Sequence, residues 1–230
     1  MKLARVTAAI ETLTMTATAE DKSAVQFWAW FSQHHEQYRS VDRAAGREEL
    51  LDQFQEQLHR YDDELYFEIS EPLTDGSNEL IITAEGIREK FPAVDALVEA
   101  APVLTNWKII AFKPPYGFDF TYEADDLMLD PGQLWFLPLR SKSSPEVLGL
   151  RVGVPGLDED DMDRVENAVW IILDTGLGEK VCAERINHLE VVTLPEHAKD
   201  DGYIALPEIS DYLAWRDRKN SEQTDEGERG

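Results

Sequence analysis

A single cysteine, Cys182, stands among the 230 residues of the chain. An internal disulfide and a cysteine-built zinc site are therefore excluded, and the count suits a reducing compartment such as the cytoplasm. Basic side chains are scarce. Twenty-two lysines and arginines face 46 aspartates and glutamates, a formal net charge of -24. A field of that sign repels nucleic-acid phosphates and anionic lipid, so neither is expected as a direct partner, whereas cations and basic proteins are attracted. The plainer reading of the same charge is solubility. No apolar run approaches the roughly 20 residues that a helix needs to cross a bilayer. The glycine signatures of nucleotide binding, Gly-x-Gly-x-x-Gly and the phosphate-cradling Gly-Lys-Ser/Thr loop, are missing. So is the Gly-x-Ser-x-Gly elbow of a hydrolase around Ser141, Ser143 and Ser144, which sit in a polar loop. No motif calls for a cofactor or a metal.

What is present organises around residues 79–115. Leu80-Ile81-Ile82-Thr83-Ala84 is a short β-branched run of the kind a buried strand requires. Phe91-Pro92 opens a helix with proline in the position where no N–H is missed. Val94, Leu97, Val98 and Ala101 share one face of that helix, and Pro102 stops it. Residues 107–112 form the next strand, and Lys113-Pro114-Pro115 ends it.

Upstream, residues 1–20 read as a flexible extension. Lys2, Arg5 and Ala17-Thr18-Ala19 imitate a secretory leader, but Glu11 and five threonines interrupt its would-be apolar centre. The spacing of Phe27, Trp28 and Phe31 predicts a helix over 21–38, and Leu50, Leu51, Phe54 and Leu58 predict another over 47–61, together a helical hairpin. Residues 65–70 alternate apolar and polar, as a half-buried strand does, and should pair with the strand at Leu80 as an antiparallel hairpin.

Downstream, strands are expected at 118–122, 127–129, 134–139, 148–154 and 188–194, with a helix over 158–173. Pro138 pushes its strand toward an edge. The order strand, strand, helix, strand then occurs in both halves. A short docking helix is expected over 207–218, within a C-terminal segment running from 195, and a disordered tail over 219–230. The fold class is α+β: a mixed, largely antiparallel sheet packed against helices, with an N-terminal helical hairpin and a single domain over 21–194.

Candidate sites are few. The loop Lys113-Pro114-Pro115-Tyr116-Gly117-Phe118 joins stiffness to aromatic area, which lowers the entropy cost of binding. Its binding candidates are Lys113, Pro114, Pro115, Tyr116 and Phe118, and a rigid connector with inward aromatics is the plainer reading. Asp174, Glu179 and His188 form an alternative group for an enzyme with a dispersed site, for example a hydrolase. Asp174 lies at a helix C-terminus, where the dipole disfavours an anion; it faces either a basic group or, as the simpler expectation, solvent. His34-His35-Glu36 invites a metal reading, but adjacent histidines on a helix diverge by about 100°; an exposed pair is expected instead. The acids at 158–161 are read as helix capping, and Gly176 and Gly178 as helix termination.

Glu79-Leu80-Ile81-Ile82-Thr83-Ala84-Glu85-Gly86, then Phe91-Pro92, Ala100-Ala101-Pro102 and Asn106-Trp107-Lys108, resembles a signature of uncharacterised bacterial proteins. Residues 27–32 and the Leu173-Asp174 to Gly178-Glu179 stretch resemble it too, and the resemblance covers roughly 25–192. It implies a compact bacterial unit and transfers no catalytic residue. The function expected from the residues is a non-enzymatic, acidic protein-binding module of inhibitor or immunity type, meeting a basic protein in the cytoplasm. The sequence does not speak to oligomeric state.

Overall fold

The computed structural model describes residues 19–139 and 147–227. Most of the expected N-terminal extension, the serine loop and the last three residues lie outside them. Two mixed sheets carry the architecture, each backed by helices, and six α-helices occur among the described residues. The α+β class stands, and among the described residues no helix is long and apolar enough to cross a membrane.

The first unit begins with a helical hairpin, α1 (Ala19–Tyr38) and α2 (Arg47–His59). Its seam is aromatic. Phe31 and Phe54 are fully buried and meet edge to face at 5.5 Å, and Trp107 meets Phe31 at 5.2 Å. The Trp28 indole N–H donates to the Leu97 carbonyl at 2.7 Å. That carbonyl lies in the last turn of the next helix, where the intrahelical partner is missing. His34 and His35 are half-buried rather than exposed: His34 Nδ1 lies 2.7 Å from the Trp30 carbonyl, and His35 Nδ1 accepts from the Trp107 indole at 3.1 Å. The aromatic stripe is wide enough to draw both rings onto it.

Strand β1 (Tyr66–Ile69) pairs antiparallel with β2 (Asn78–Thr83), as the alternation required. Helix α3 (Phe91–Glu99) then crosses over to β3 (Trp107–Ala111), which runs parallel to β2. Leu80 and Ile82 are fully buried and Ile81 nearly so, because β2 is the central strand and is covered on both faces. Asn78 opens β2 without solvent contact; its amide donates to the carbonyls of Arg39 (3.1 Å) and Ser70 (2.9 Å) and so ties the end of α1 to the sheet. Asn78→Ala strips both carbonyls of their partner and should cost about 1–3 kcal/mol. A urea midpoint lowered at constant slope would register the loss.

In the second unit β6 (Trp135–Leu139) and β7 (Leu148–Val154) are antiparallel, and β8 (Ile186–Thr193) lies parallel to β7. The small hairpin β4 (Tyr122–Ala124) and β5 (Leu127–Leu129) precedes them. The connectivity and pairing senses match those of β1, β2, α3 and β3. Beside β6 runs the short β9 (Ile204–Ala205), which the sequence reading lacked. It reaches only Trp135 and Phe136, so β6 is locally an edge at Pro138 and the missing N–H is harmless.

Four further differences from expectation have local causes. No strand forms over 118–121; the chain just before it, at Tyr116 and Gly117, bonds to the Thr175 and Gly176 carbonyls at a helix end instead of to a strand. Helix α4 (Met162–Leu177) starts late, since Glu159–Asp161 is a 3₁₀ turn in which the Asp158 carboxylate accepts from the Asp160 N–H at 3.1 Å. Gly176 is therefore inside α4, and Gly178 alone separates it from α5 (Glu179–Arg185). Helix α6 (Ile209–Gly227) continues well past Arg218 into the segment expected to be disordered. Buried Ile209 and Leu213 anchor it, Asp217 pairs with Arg185, and Lys219 pairs with Glu222 at 2.9 Å. The apolar interior divides in two, one cluster on each sheet.

Candidate functional site

The two units meet where β2 and β3 end and α4 gives way to α5. Glu179, the first residue of α5, is wholly buried. One of its carboxylate oxygens accepts from the Ala84 N–H (2.9 Å) and the Gly86 N–H (3.0 Å). The other accepts from the Thr83 hydroxyl (2.6 Å) and the Lys113 N–H (3.1 Å). These four donors fill the lone-pair sites of a carboxylate. All four come from the first unit, while Glu179 belongs to the second. Its own N–H donates back to the Lys113 carbonyl at 3.0 Å.

Backbone conformations that L-residues rarely adopt surround this junction. Glu85 (φ 49°) and Phe112 (φ 65°) are left-handed although neither is glycine. Glu85 and Gly86 make the tight turn that points two N–H groups at Glu179, and Phe112 turns the chain so that the Lys113 N–H does the same. Gly178 has φ 79° and ψ 151°. A β-carbon there would lie 2.9 Å from the Pro115 nitrogen and 3.1 Å from the Lys113 carbonyl oxygen. At Gly176 a β-carbon would fall 2.2 Å from the Phe118 ring. The Tyr116 and Gly117 N–H groups donate to the carbonyls of Thr175 (2.9 Å) and Gly176 (3.3 Å), which the end of α4 leaves without helical partners.

The expected binding loop therefore divides. Lys113, Pro115 and Phe118 are applied to the α4–α5 corner, and Pro114 is half-buried with them. Tyr116 projects, 60% exposed, and Pro115 beside it is exposed on its outer side. Partial burial, with the charges of Glu68 and Glu79, pushes its hydroxyl above the ordinary range. Asp174 and Glu179 come to the same place as Lys113. Asp174 does not face solvent: its carboxylate holds the Lys113 ammonium at 2.8 Å, which removes the conflict with the helix dipole. Burial opposes the Lys113 charge, yet the Asp174 hydrogen bond and the carboxylates of Asp174, Glu179 and Glu68 raise its pKa. His188 does not join them. Its ring lies 3.2 Å from Glu190, which also binds Arg151 at 2.8 Å, and it is no part of the cavity beside Lys113.

That cavity is a cleft of about 720 Å³ open to solvent between the two units. The first unit contributes Glu68 from β1, Glu85 and Gly86 from the turn after β2, and Lys113. The second contributes Asn167, Trp170, Ile171, Asp174 and Thr175 from α4, with Cys182, Ala183 and Ile186 behind them. Three carboxylates thus share the cleft with one amine, which Asp174 already occupies. Neither the Glu68 nor the Glu85 carboxylate has a hydrogen-bond or ion-pair partner among the described residues. Burial, and then the charges of Asp174, Glu179 and Glu85, push the Glu68 carboxyl up against the pull of Lys113. Burial, with Asp174 adding, pushes the Cys182 thiol up to about 12, so it is neither a thiolate nucleophile nor a ready metal ligand.

Among the described residues one acidic group has metal-like spacing, Asp62, Asp63 and Glu64. The Lys90 ammonium already lies 3.0 Å from Asp62 and 2.8 Å from Glu64. The sequence reading missed Glu68, Glu85, Trp170 and Ile171. Glu68 was legible as an outward residue of an alternating strand, but its neighbours come from the other half of the chain. No known protein family, curated protein or solved structure matches the chain.

Proposed function

We propose that this protein is a non-enzymatic binding module that captures a basic protein, in the manner of an inhibitor or immunity protein of a bacterial cytoplasm. The observation that carries the reading is the cleft between the units: its carboxylates outnumber its amine, and Glu68 and Glu85 hold no hydrogen-bond or ion-pair partner among the described residues. A cationic group entering it meets two exposed carboxylates, of which Glu68 already bears a desolvation cost that an incoming positive charge relieves. The net charge of -24 extends the attraction beyond the cleft and speeds encounter with a basic surface. The bacterial setting rests on the resemblance carried by residues 79–108. Glu179 is spoken for by four donors and His188 by Glu190, so the alternative catalytic group gains nothing from the geometry.

Salt tests this reading. Between about 0.1 M and 1 M salt the screening length falls from about 10 Å to about 3 Å. The immobilised chain should therefore retain a basic partner from host extract at the lower concentration and release it at the higher. Capture that is indifferent to salt, or confined to acidic and neutral proteins, would contradict the proposal.

A further inference from the structure

The lining of the cleft narrows what enters it, provided the reading as a receptor for a basic protein holds. One wall carries an apolar strip between polar residues: Ile171 is 42% exposed, and Trp170, Ala183 and Ile186 line the cleft with it, beside Asn167, Asp174 and Thr175. The other carries the carboxylates of Glu68 and Glu85, unpaired among the described residues. A ligand that satisfies both walls has an apolar stem and a cationic head. The head must also serve two carboxylates that come from different elements, β1 and the turn after β2. A lysine ammonium is a compact, strongly hydrated point charge, and Lys113 already supplies one to Asp174. A guanidinium presents five donors in a plane, is weakly hydrated, and lies flat on an aromatic face. A bare divalent cation would have to sit beside the Lys113 ammonium, and its demand for six or more oxygens exceeds what the two free carboxylates offer.

We infer that the cleft receives one arginine side chain of the partner protein, its stem along Ile171 and Ile186, its guanidinium against Trp170 and accepted by Glu68 and Glu85. Neither glutamate holds a neighbouring element in place, so both can be altered without touching the Glu179 junction.

The test titrates the full chain with the blocked tripeptide Ac-Gly-Arg-Gly-NH₂ and with its lysine and citrulline counterparts, by calorimetry. Citrulline keeps the shape and removes the charge. The arginine peptide should bind saturably, the lysine peptide more weakly, and the citrulline peptide at least about tenfold more weakly. The double variant Glu68→Gln, Glu85→Gln should lose at least about tenfold in affinity for the arginine peptide at an unchanged melting temperature. Asp211→Asn, on α6 and outside the cleft, should change nothing. Equal binding of arginine and citrulline, a lysine peptide that binds as well as arginine, or an indifferent double variant would each overturn the assignment. Salt-sensitive capture of a basic protein that survives the double variant would remove arginine recognition here and leave the binding function standing. Arginine-peptide binding without capture of any basic protein would remove the function instead.

Discussion

Glu179→Ala should lower the unfolding free energy by roughly 3–5 kcal/mol, because several buried donors are left unsatisfied at about 1–3 kcal/mol each, less what relaxation recovers. Four donors lose their acceptor at once: the Thr83 hydroxyl and the N–H groups of Ala84, Gly86 and Lys113. Water cannot replace it without opening the junction, because the residue is wholly buried. Glu179→Gln should cost less, about 2–3 kcal/mol. One amide oxygen still accepts, but the NH₂ group turns two donors against two donors. Urea unfolding followed by circular dichroism measures both variants. A midpoint like that of the unaltered protein in Glu179→Ala would refute the idea that this carboxylate joins the units.

Gly178→Ala should be nearly as damaging, by roughly 2–5 kcal/mol, through two separate costs. The conformation at φ 79° and ψ 151° is close to glycine-only and carries about 1–3 kcal/mol for any other residue. The added β-carbon also meets backbone, the Pro115 nitrogen at 2.9 Å and the Lys113 carbonyl oxygen at 3.1 Å, which cannot swing aside as a side chain would. Gly156 separates the two costs. It has φ 64° but nothing within 4 Å of where a β-carbon would lie, so Gly156→Ala bears only the conformational cost of about 1 kcal/mol. A Gly178→Ala midpoint no lower than that of Gly156→Ala would show that the loop 113–118 yields freely and that the corner is not tightly packed.

These positions show where sequence is informative and where it stops. β2, α3 and β3 were legible because each carries its own periodic signal within a few residues: the run at Leu80, the proline at 92, the stripe of Val94 and Leu97. The pairing of β1 with β2 followed from alternation and a turn-rich connector. Helix α5 was not legible. Seven residues with only Val181, Cys182 and Ala183 apolar at the centre are too few for helical spacing to emerge, and its order comes from Glu179 bonding to the other unit. The acids at 158–161 imitate a helix start, yet they satisfy one another's backbone in a 3₁₀ turn. The polar composition from Lys219 reads as disorder, while the i,i+3 pair of Lys219 with Glu222 at 2.9 Å supports the helix locally.

The candidate site divided along the same line. Lys113, Asp174 and Glu179 were each singled out, but as members of two separate groups, because nothing in their linear order reports that a loop from one unit lies on a helix corner of the other. Glu68 and Glu85 are two among 46 acidic residues, and only the fold distinguishes them.

The central claim is that the Glu179 junction makes one cooperative body of two similarly connected units, and that the cleft exists because of it. Native-state hydrogen exchange of the Ile81 amide in β2 and the Val152 amide in β7, followed with rising urea, tests this most directly. The account predicts that both amides merge into a single opening in the unaltered chain and separate into two openings in Glu179→Ala. Independent openings in the unaltered chain, or a single shared opening that survives the substitution, would contradict it.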